Sequence, residues 1–487
     1  MVAERALGPY ERYSLARTRA GVAPVVAVTA LLDGAKVDPA RLSHAIQTLL
    51  AKYALLSCSV ANAATGEPHF RRSAVEARDV LVEGPEVGRD AGDALLAALG
   101  AGVEFDVEKA PLWRVWHSAA GAQGQIRLTL AVHHVLSDGT STRNIFAHLL
   151  RALREPPTGD EPVEAELAPS LEDTVDVRPS MLTLVKTVVE ELVLLKLPSF
   201  LRPAPSPVVF PNPPLLSPYL QPTALKVLSL PAPVVARLKA TAKARDIATL
   251  HPVLYTAALA ALSSSLSARD AASRADEIVG DSPISLRDPS AGHPAITGNY
   301  VCSLSTAHGP AAPSATAFWA SCAAYATRLA DPAARADAKG GMGLLAYVPN
   351  GAAGSGGAQD ARTGFDVWME EKLHSERPYG ASFEVSNLGV LPPTGWEGEG
   401  GIDEVYWAQA AMAVGPALAI NPIAVRGGNL AITLTYRAGT VEEATVAAFW
   451  RSFERVLRRL AEGNDADGAT FKDLASEAEW VGRMPAP

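Results

Sequence analysis

The chain has 487 residues, of which 48% are hydrophobic and 20% are charged. This composition is typical of globular proteins with a large buried core and excludes disorder as the dominant state. Lys and Arg number 43 against 52 Asp and Glu, which gives a net charge of −9. Because the basic residues form no block along the chain, nucleic acid and anionic membrane surfaces are poor candidate partners.

The cysteines and the N-terminus carry no disulfide, zinc or targeting signal. Cys58, Cys302 and Cys322 are odd in number and far apart, which favours a reducing compartment over a secreted disulfide framework. Residues 1–14 lack the apolar core of a signal peptide, and the apolar run at 25–32 is shorter than the ~20 residues of a membrane helix. We expect a cytoplasmic monomer with no metal, no transmembrane segment and no nucleic-acid partner.

The first third of the chain alternates strand-like and helix-like patterns. Residues 25–32 form an apolar run, and Asp38 and Pro39 then suit the cap and the first position of a helix. Residues 55–60 return as a strand, so this segment is predicted to form a β-α-β unit. Two further strands are predicted at 111–117 and 125–134.

Prolines crowd between residues 155 and 222, on both sides of an apolar amphipathic stretch at 180–196. We interpret this region as a crossover linker that contains one helix packed on the domain surface, with a lid or a membrane-touching helix as the alternative. The chain is thereby divided into an N-terminal domain at 1–165, a linker at 166–222 and a C-terminal domain at 223–487.

The second half of the chain repeats the alternation of strand-like and helix-like patterns. Helices are predicted from residue 231, at 250–266 and at 441–460. Strands are predicted at 225–230, 277–286, 300–304, 381–386, 417–425 and 430–436. The Gly/Ala/Ser-rich stretch at 340–364 is predicted to be a mobile loop. Two α/β halves of related pattern are the expectation.

One segment combines several residues capable of chemistry. The chain has no GxSxG elbow, HExxH pair, Walker loop or dinucleotide fingerprint, but residues 133–139 read HHVLSDG. The preceding strand alternates apolar and polar residues, as a half-buried strand does. His134 continues the apolar row and His133 the opposite one. Asp138 and Gly139 then form a turn, with Thr140 or Ser141 as the cap of the next helix.

This segment resembles the HHxxxDG signature of the condensation-domain-like, CoA-dependent acyltransferases, and the chain looks most like their fungal alcohol acetyltransferase branch. Other segments match in the same order along most of the chain. They are DPARLSHAIQTLLAKYALLSCSV, PLWRV, ISLRD followed by GNYV, FEVSNLG, and LAINPIAVRGGNLAITLTYRAGTV. The plant-type DFGWG motif is replaced by SNLG, which argues against the plant branch.

The resemblance implies an α/β fold of two chloramphenicol-acetyltransferase-like domains, a pseudo-dimer with a tunnel along the interface. Acyl-CoA, with acetyl as the expected acyl group, enters one mouth as a co-substrate rather than a bound cofactor, and a small-molecule alcohol enters the other. Of the two catalytic residues of the motif, His134 is the general base, and Asp138 holds the geometry through an ion pair with Arg287 of the other domain.

The remaining site residues support these two. His133 faces away from the tunnel, and Gly139 permits a tight backbone beside the base. A donor is needed for the oxyanion of the tetrahedral intermediate, and the motif positions nominate Asn299, Ser386 and Asn387.

Two alternatives stay open from the sequence. The same motif serves amide-forming condensation or a cyclisation without CoA. The second alternative is a binding protein of the same fold that has lost its catalytic activity. The intact His134, Asp138 and Gly139 argue against it.

Overall fold

The computed structural model describes residues 4–34, 37–82, 90–101, 104–119, 124–154, 166–189, 210–211, 214–270, 278–288, 293, 297–309, 315–349, 362–396, 401–462 and 468–476. Within these ranges the strands are β1 (Glu4–Ala6), β2 (Val25–Asp33), β3 (Cys58–Ala61), β4 (His69–Arg72), β5 (Leu81–Val82), β6 (Trp113–Ala119), β7 (Gln125–His133), β8 (Thr223–Leu230), β9 (Ile278–Ser285), β10 (Val301–His308), β11 (Tyr379–Val385), β12 (Ile402–Gln409), β13 (Gly415–Ala424) and β14 (Leu430–Arg437).

The helices alternate with these strands. They are α1 (Pro9–Arg19), α2 (Pro39–Lys52), α3 (Ala77–Val80), α4 (Ala91–Ala101), α5 (Gly139–Arg154), α6 (Leu171–Thr174), α7 (Met181–Val188), α8 (Ala232–Lys243), α9 (His251–Asp270), α10 (Phe318–Ala330), α11 (Pro332–Gly343), α12 (Gly364–Leu373), α13 (Glu443–Glu462) and α14 (Phe471–Ala475). The start of α2 follows the sequence signals, because the Asp38 carboxylate accepts a 2.9 Å hydrogen bond from the N–H of Arg41 and Pro39 is the first helical residue.

Two large sheets form the centres of two lobes, each with its own hydrophobic core. The first has five strands in the order β12-β2-β7-β6-β5, and the second has six in the order β10-β9-β11-β13-β14-β8. A mixed α/β fold in two lobes is therefore confirmed.

The predicted β-α-β unit is wrong. Strand β3 does not return to the sheet of β2 but pairs with β4 in a separate three-stranded sheet, in the order β1-β4-β3. A short 3-10 helix at Ala54–Ser57 precedes β3, so the chain turns away before it becomes extended. Hydrophobic periodicity marks an extended segment but does not choose its neighbour.

Strand β12 was missed by the sequence analysis, and it connects the halves. It lies in the C-terminal half of the chain but pairs antiparallel with β2, Trp407 opposite Val28, and so extends the first sheet. The division of the chain at residues 165 and 222 stays a prediction, and β12 crosses it in space.

Strand β7 is buried on both faces rather than on one. Arg127 and Thr129, on the face predicted to be polar, are 3% and 2% exposed. Helix α4 packs over β2, β7 and β12 on one side, while α5 packs on β2 and β7. Arg127 is accommodated because its guanidinium donates to the Glu404 carboxylate of β12, at 2.5 Å.

Two further predictions are corrected in part. The predicted helix at 180–196 is described only as α7, and its Val185 is 53% exposed rather than packed on the domain; residues 190–209 lie outside the described ranges. The loop predicted at 340–364 begins as the end of α11 and a 3-10 turn, Leu344–Tyr347, and 350–361 lie outside them. No described helix is long and apolar enough to cross a membrane.

Candidate active site

The HHVLSDG segment lies where β7 ends between β2 and β6, at the contact between the lobes. The N–H of His134 donates to the carbonyl of Pro24, at 2.9 Å, so the turn begins directly after His133. From the second lobe, Gly298 donates to the carbonyl of Leu136 at 3.1 Å and forms a parallel bridge with Ser137. The segment is thus held by main-chain hydrogen bonds from both lobes.

His133 is committed to structural hydrogen bonds at both ring nitrogens. Its Nδ1 accepts from the N–H of Val135 at 3.1 Å, so the ring proton is on Nε2, which donates to the Thr18 hydroxyl at 2.8 Å. That hydroxyl donates in turn to the carbonyl of Ser14, at 3.1 Å. Burial and the neighbouring His134 lower the pKa of His133 to about 3, which keeps the ring neutral.

His134 has the opposite character. The residue is partly buried, its ring lies edge-on to Tyr10 with 6.2 Å between centroids, and its Nδ1 is buried without a hydrogen-bond partner among the described residues. Burial and the positive charge of Arg17 lower its pKa, against smaller raising effects from its own main chain, Asp138 and the Asn299 side chain. The ring is therefore neutral at pH 7, and a neutral imidazole can accept a proton.

Asp138 is fully occupied away from His134. Its Oδ1 accepts from the N–H of Ser141 at 2.8 Å, so Asp138, rather than Thr140 or Ser141, caps α5. Its Oδ2 accepts from Arg287 at 2.6 Å and from the N–H of Tyr300 at 2.8 Å. Burial raises the pKa of this carboxyl, but the Arg287 charge and these hydrogen bonds outweigh it, and the net pKa is lowered.

Arg287 is present as the expected partner from the other lobe. It follows β9, and its side chain is 9% exposed against 4% for Asp138. Besides Asp138, its guanidinium donates to the Ser141 hydroxyl at 2.5 Å and to the carbonyl of Gly298 at 2.9 Å. Both terminal nitrogens of the guanidinium thus have oxygen partners, and the ion pair joins the segment after β9 to the start of α5.

Gly139 is required for a different reason from the one expected. The backbone at Gly139 is not in the left-handed region. A Cβ there would lie 2.9 Å from Cδ2 of Leu388 and 3.7 Å from the Trp407 ring. Glycine therefore lets the SNLG segment of the second lobe pack directly against the start of α5.

The three oxyanion candidates lie in different surroundings. The Asn299 amide donates to the main-chain carbonyl of His134, and its Oδ1 is buried with no hydrogen-bond partner. Asn387 accepts from the N–H of Gly389 at 2.9 Å, and Ser386 donates its main-chain N–H to Ile420 at 2.9 Å. Among described residues, only Asn299 of these three is hydrogen-bonded to His134.

Helix α1 supplies residues that the sequence analysis missed. Tyr10 contacts His134, Thr18 bonds to His133, and Arg17 is 5% exposed on the same side of the helix. The available signal was Pro9 at a first helical position, followed by polar and aromatic residues at helical spacing. It was overlooked because the segment lacks an apolar stripe.

No group of three or more His, Cys, Asp and Glu side chains in the described ranges could hold a metal ion. The three cysteines are buried and unpaired. The arrangement instead offers one neutral imidazole beside buried arginines, which suits proton transfer and anion binding.

Solved structures of two-lobed enzymes share this fold. The condensation domain of the monacolin K polyketide synthase MokA covers 96% of the chain and 99% of its own, with a TM-score of 0.61 and 15% identity. The trichothecene 15-O-acetyltransferase TRI3 of Fusarium sporotrichioides covers 94% of both chains, with a TM-score of 0.63 and 12% identity. The chain therefore has the fold of the condensation domains and of chloramphenicol-acetyltransferase-like enzymes.

A curated relative adds the sequence link. "Probable alcohol acetyltransferase FCK4" of Fusarium pseudograminearum is 27% identical over 383 residues, which cover 74% of each chain. No family model matches the sequence. The chain is thus similar in sequence to an alcohol acetyltransferase and in fold to condensation domains, and it carries its HHxxxDG segment at the contact between the lobes.

Proposed function

We propose that this protein is a cytoplasmic, monomeric enzyme that transfers an acyl group from acyl-CoA to a hydroxyl of a small-molecule alcohol. Acetyl is the acyl group that we expect. The names of the relatives support the transfer to oxygen, since FCK4 is named a probable alcohol acetyltransferase and TRI3 a 15-O-acetyltransferase. No bound cofactor is needed, because acyl-CoA is consumed as a substrate.

The contrast between the two histidines carries this proposal. His133 uses both ring nitrogens in hydrogen bonds to the protein. His134 is partly exposed at the contact between the lobes, and its Nδ1 is buried with no partner. The outward nitrogen, Nε2, is therefore the one available to a substrate, and His134 is the general base.

In the proposed reaction, one proton passes from the acceptor hydroxyl to His134 and then to the CoA sulfur. His134 Nε2 takes the proton of the acceptor hydroxyl as that oxygen attacks the thioester carbonyl carbon. The tetrahedral intermediate then collapses, the C–S bond breaks, and the imidazolium returns the proton to the CoA sulfur. The products are the ester and free CoA, and the base is regenerated. Positioned proton transfer of this kind is typically worth ~10²–10⁴-fold.

Asp138 and Arg287 hold the backbone that carries His134. Their ion pair holds the turn and the start of α5 against Gly298 and Tyr300 of the second lobe. Asn299 fixes the carbonyl of His134, so it is first a positioning residue. Ser386 and Asn387 remain candidates for the oxyanion donor, and the packing of Leu388 on Gly139 keeps their segment next to the motif.

The test is a thiol-release assay. The protein is incubated with acetyl-CoA and a panel of alcohols and amines, and free CoA and product mass are followed. We expect acceptor-dependent CoA release with ester products. Amide products alone would replace the proposal with condensation, and a cyclised acceptor without CoA release would replace it with cyclisation. A complete lack of turnover, with the substrates shown to bind, would indicate an inactive binding protein.

A further inference from the structure

Arg17 is a buried cation without a hydrogen-bonded partner. It is 5% exposed, and no oxygen of the described residues accepts a hydrogen bond from its guanidinium. The guanidinium lies over the ring of Tyr13, with 5.7 Å between Cζ and the ring centroid. Buried charges are normally paired, because an unpaired one forfeits its hydration. A buried guanidinium without a hydrogen-bonded partner in the protein can bind an anion from outside the chain.

Its position is beside His134. Tyr10, seven residues earlier on α1, packs edge-on to the His134 ring. Seven residues are two turns of a helix, so the two side chains share a face about 10 Å apart along the axis. The next residue, Thr18, bonds to His133. Arg17 therefore lies on the side of α1 that contacts the two histidines, close enough for its charge to lower the pKa of both rings.

The surrounding charges do not neutralise it. Glu384 is 5% exposed and accepts from Gln409 at 2.5 Å, and burial raises the pKa of its carboxyl to about 7. A second cation, Arg437, donates to the carbonyl of Gln221 at 2.5 Å, and burial and the Arg17 charge lower its pKa to about 10. Neither Glu384 nor Arg437 is hydrogen-bonded to the guanidinium of Arg17.

We propose that Arg17 binds a carboxylate of the acceptor, so that the substrate class is hydroxy acids rather than neutral alcohols. A guanidinium matches a carboxylate through two parallel hydrogen bonds, and its place on the face shared with Tyr10 sets the distance between that carboxylate and the reacting hydroxyl. This inference rests on the proposed function for the meaning of the site, but the presence of the site can be tested without turnover.

A phosphate of CoA is the other source of such an anion. In an acyl-CoA the pantetheine arm separates the phosphates from the thioester, while Arg17 lies near the proposed base, His134. The acceptor is therefore the better source, and the two sources make different kinetic predictions.

The first measurement is ligand-dependent melting at constant ionic strength. Sodium benzoate and acetate are compared with benzamide and acetamide, on the wild type, Arg17→Met, Arg17→Lys and Arg19→Met. The last is a matched control on the same helix, because Arg19 is paired with Asp366 at 2.9 Å. We expect the acids, and not the amides, to raise the melting temperature of the wild type and of Arg19→Met.

Arg17→Met should abolish this rise. Arg17→Lys should weaken the affinity for the acids about tenfold or more, since lysine keeps the charge but lacks the two parallel N–H donors of a guanidinium. If the wild type is not stabilised by the acids, or if Arg17→Met is stabilised equally, the anion site does not exist. Should Arg17→Met fail to fold, Arg17→Lys decides by the same comparison.

The second measurement is acceptor selectivity with acetyl-CoA, using mandelate, lactate and 4-hydroxybenzoate against their methyl esters. The ratio of kcat/KM for acid over ester should fall about tenfold or more in Arg17→Met and stay unchanged in Arg19→Met. A rise in the KM for acetyl-CoA that is equal for both acceptors would assign the anion to CoA and overturn the hydroxy-acid class. If no acceptor turns over, the proposed function fails, while the melting experiment still decides the anion site.

Discussion

At the scale of single residues, two adjacent histidines differ because of what their ring nitrogens touch. His133 is enclosed by Val135 and Thr18, and its pKa of about 3 makes it a neutral, structural side chain. His134 is partly exposed, and its Nδ1 has no hydrogen-bond partner among the described residues. The parity of a strand predicts that neighbours face opposite sides, but only the hydrogen-bond partners show which side is saturated.

Replacing His134 should remove the chemistry and leave the fold. His134→Gln is expected to lower kcat by ~10² or more, since it removes a positioned base. Its melting temperature should stay near that of the wild type, because the Asn299 amide bonds to the main-chain carbonyl of residue 134, which the variant keeps. His44→Gln, the same change at an exposed histidine of α2, is the matched control. Near-normal turnover in His134→Gln would reject the assignment.

The acid limb of the pH–rate profile should report His134. Since burial and Arg17 lower its pKa from the ordinary 6.5, the limb of kcat/KM should lie below pH 6.5. Arg17→Met removes a positive charge beside the ring and favours the protonated form, so the limb should move to higher pH. Arg19→Met should leave it in place. An unmoved limb, measured with a neutral acceptor at constant ionic strength, would show that Arg17 does not act on the base.

At the scale of elements, the site depends on contacts between segments that are distant in the chain. Helix α5 begins at the motif, capped by Asp138, and the SNLG segment of the other lobe packs on its first residue. Helix α1 closes the opposite side with Tyr10 and Thr18. None of these elements forms the site alone.

Gly139→Ala should therefore destabilise the protein. The new Cβ would approach Leu388 to 2.9 Å, and overpacking of this kind typically costs ~1–3 kcal/mol. Gly100→Ala in α4, where a Cβ meets nothing within 4 Å, should instead raise the free energy of unfolding by ~0.4–1 kcal/mol. In a Leu388→Ala background the cost of Gly139→Ala should shrink, because room has been made. Equal costs in both backgrounds, from denaturant unfolding, would refute the contact.

At the scale of the whole molecule, the lobes are joined by polar and β-sheet contacts. Strand β12 of the C-terminal half completes the first sheet, and its Glu404 pairs with the buried Arg127. The Asp138–Arg287 ion pair joins the lobes at the motif. Separation of the lobes would expose these groups, so the site and the lobe contact should be lost together.

A double-mutant cycle on Asp138 and Arg287 tests this coupling. Asp138→Asn keeps an oxygen for Ser141 but leaves Arg287 uncompensated, so it should cost ~3–5 kcal/mol of unfolding free energy. Asp138→Asn with Arg287→Met should cost less than the sum of the single changes, because the orphaned cation is gone. The exposed Arg458–Glu454 pair of α13 is the control cycle, where coupling of ~0.3–0.5 kcal/mol is expected. Strict additivity at Asp138 and Arg287 would contradict the pair.

The same pair has a pH dependence with a defined sign. The folded-state pKa of Asp138 lies below its ordinary 3.8, so its contribution to stability is present above that pH and is lost as the pH falls through the folded pKa. In Asp138→Asn this part of the acid transition should disappear, as measured by unfolding between pH 5 and 2. An unchanged acid transition would mean that Asp138 is not the group concerned.

The sequence by itself determined the motif, most helices and strands of the two halves, and the resemblance to acyltransferases, because these depend on local periodicity and on residues close together in the chain. It also nominated Asp138 and Arg287 as partners, through the resemblance. It did not place β3 in its own sheet or β12 beside β2, since sheet neighbours are chosen by long-range pairing that a local pattern does not encode. The tertiary structure alone decided that β7 is covered on both faces, that Leu388 packs closely on Gly139, and that α1 brings an arginine without a hydrogen-bonded partner to the side of His134, because each of these depends on which surfaces meet after folding.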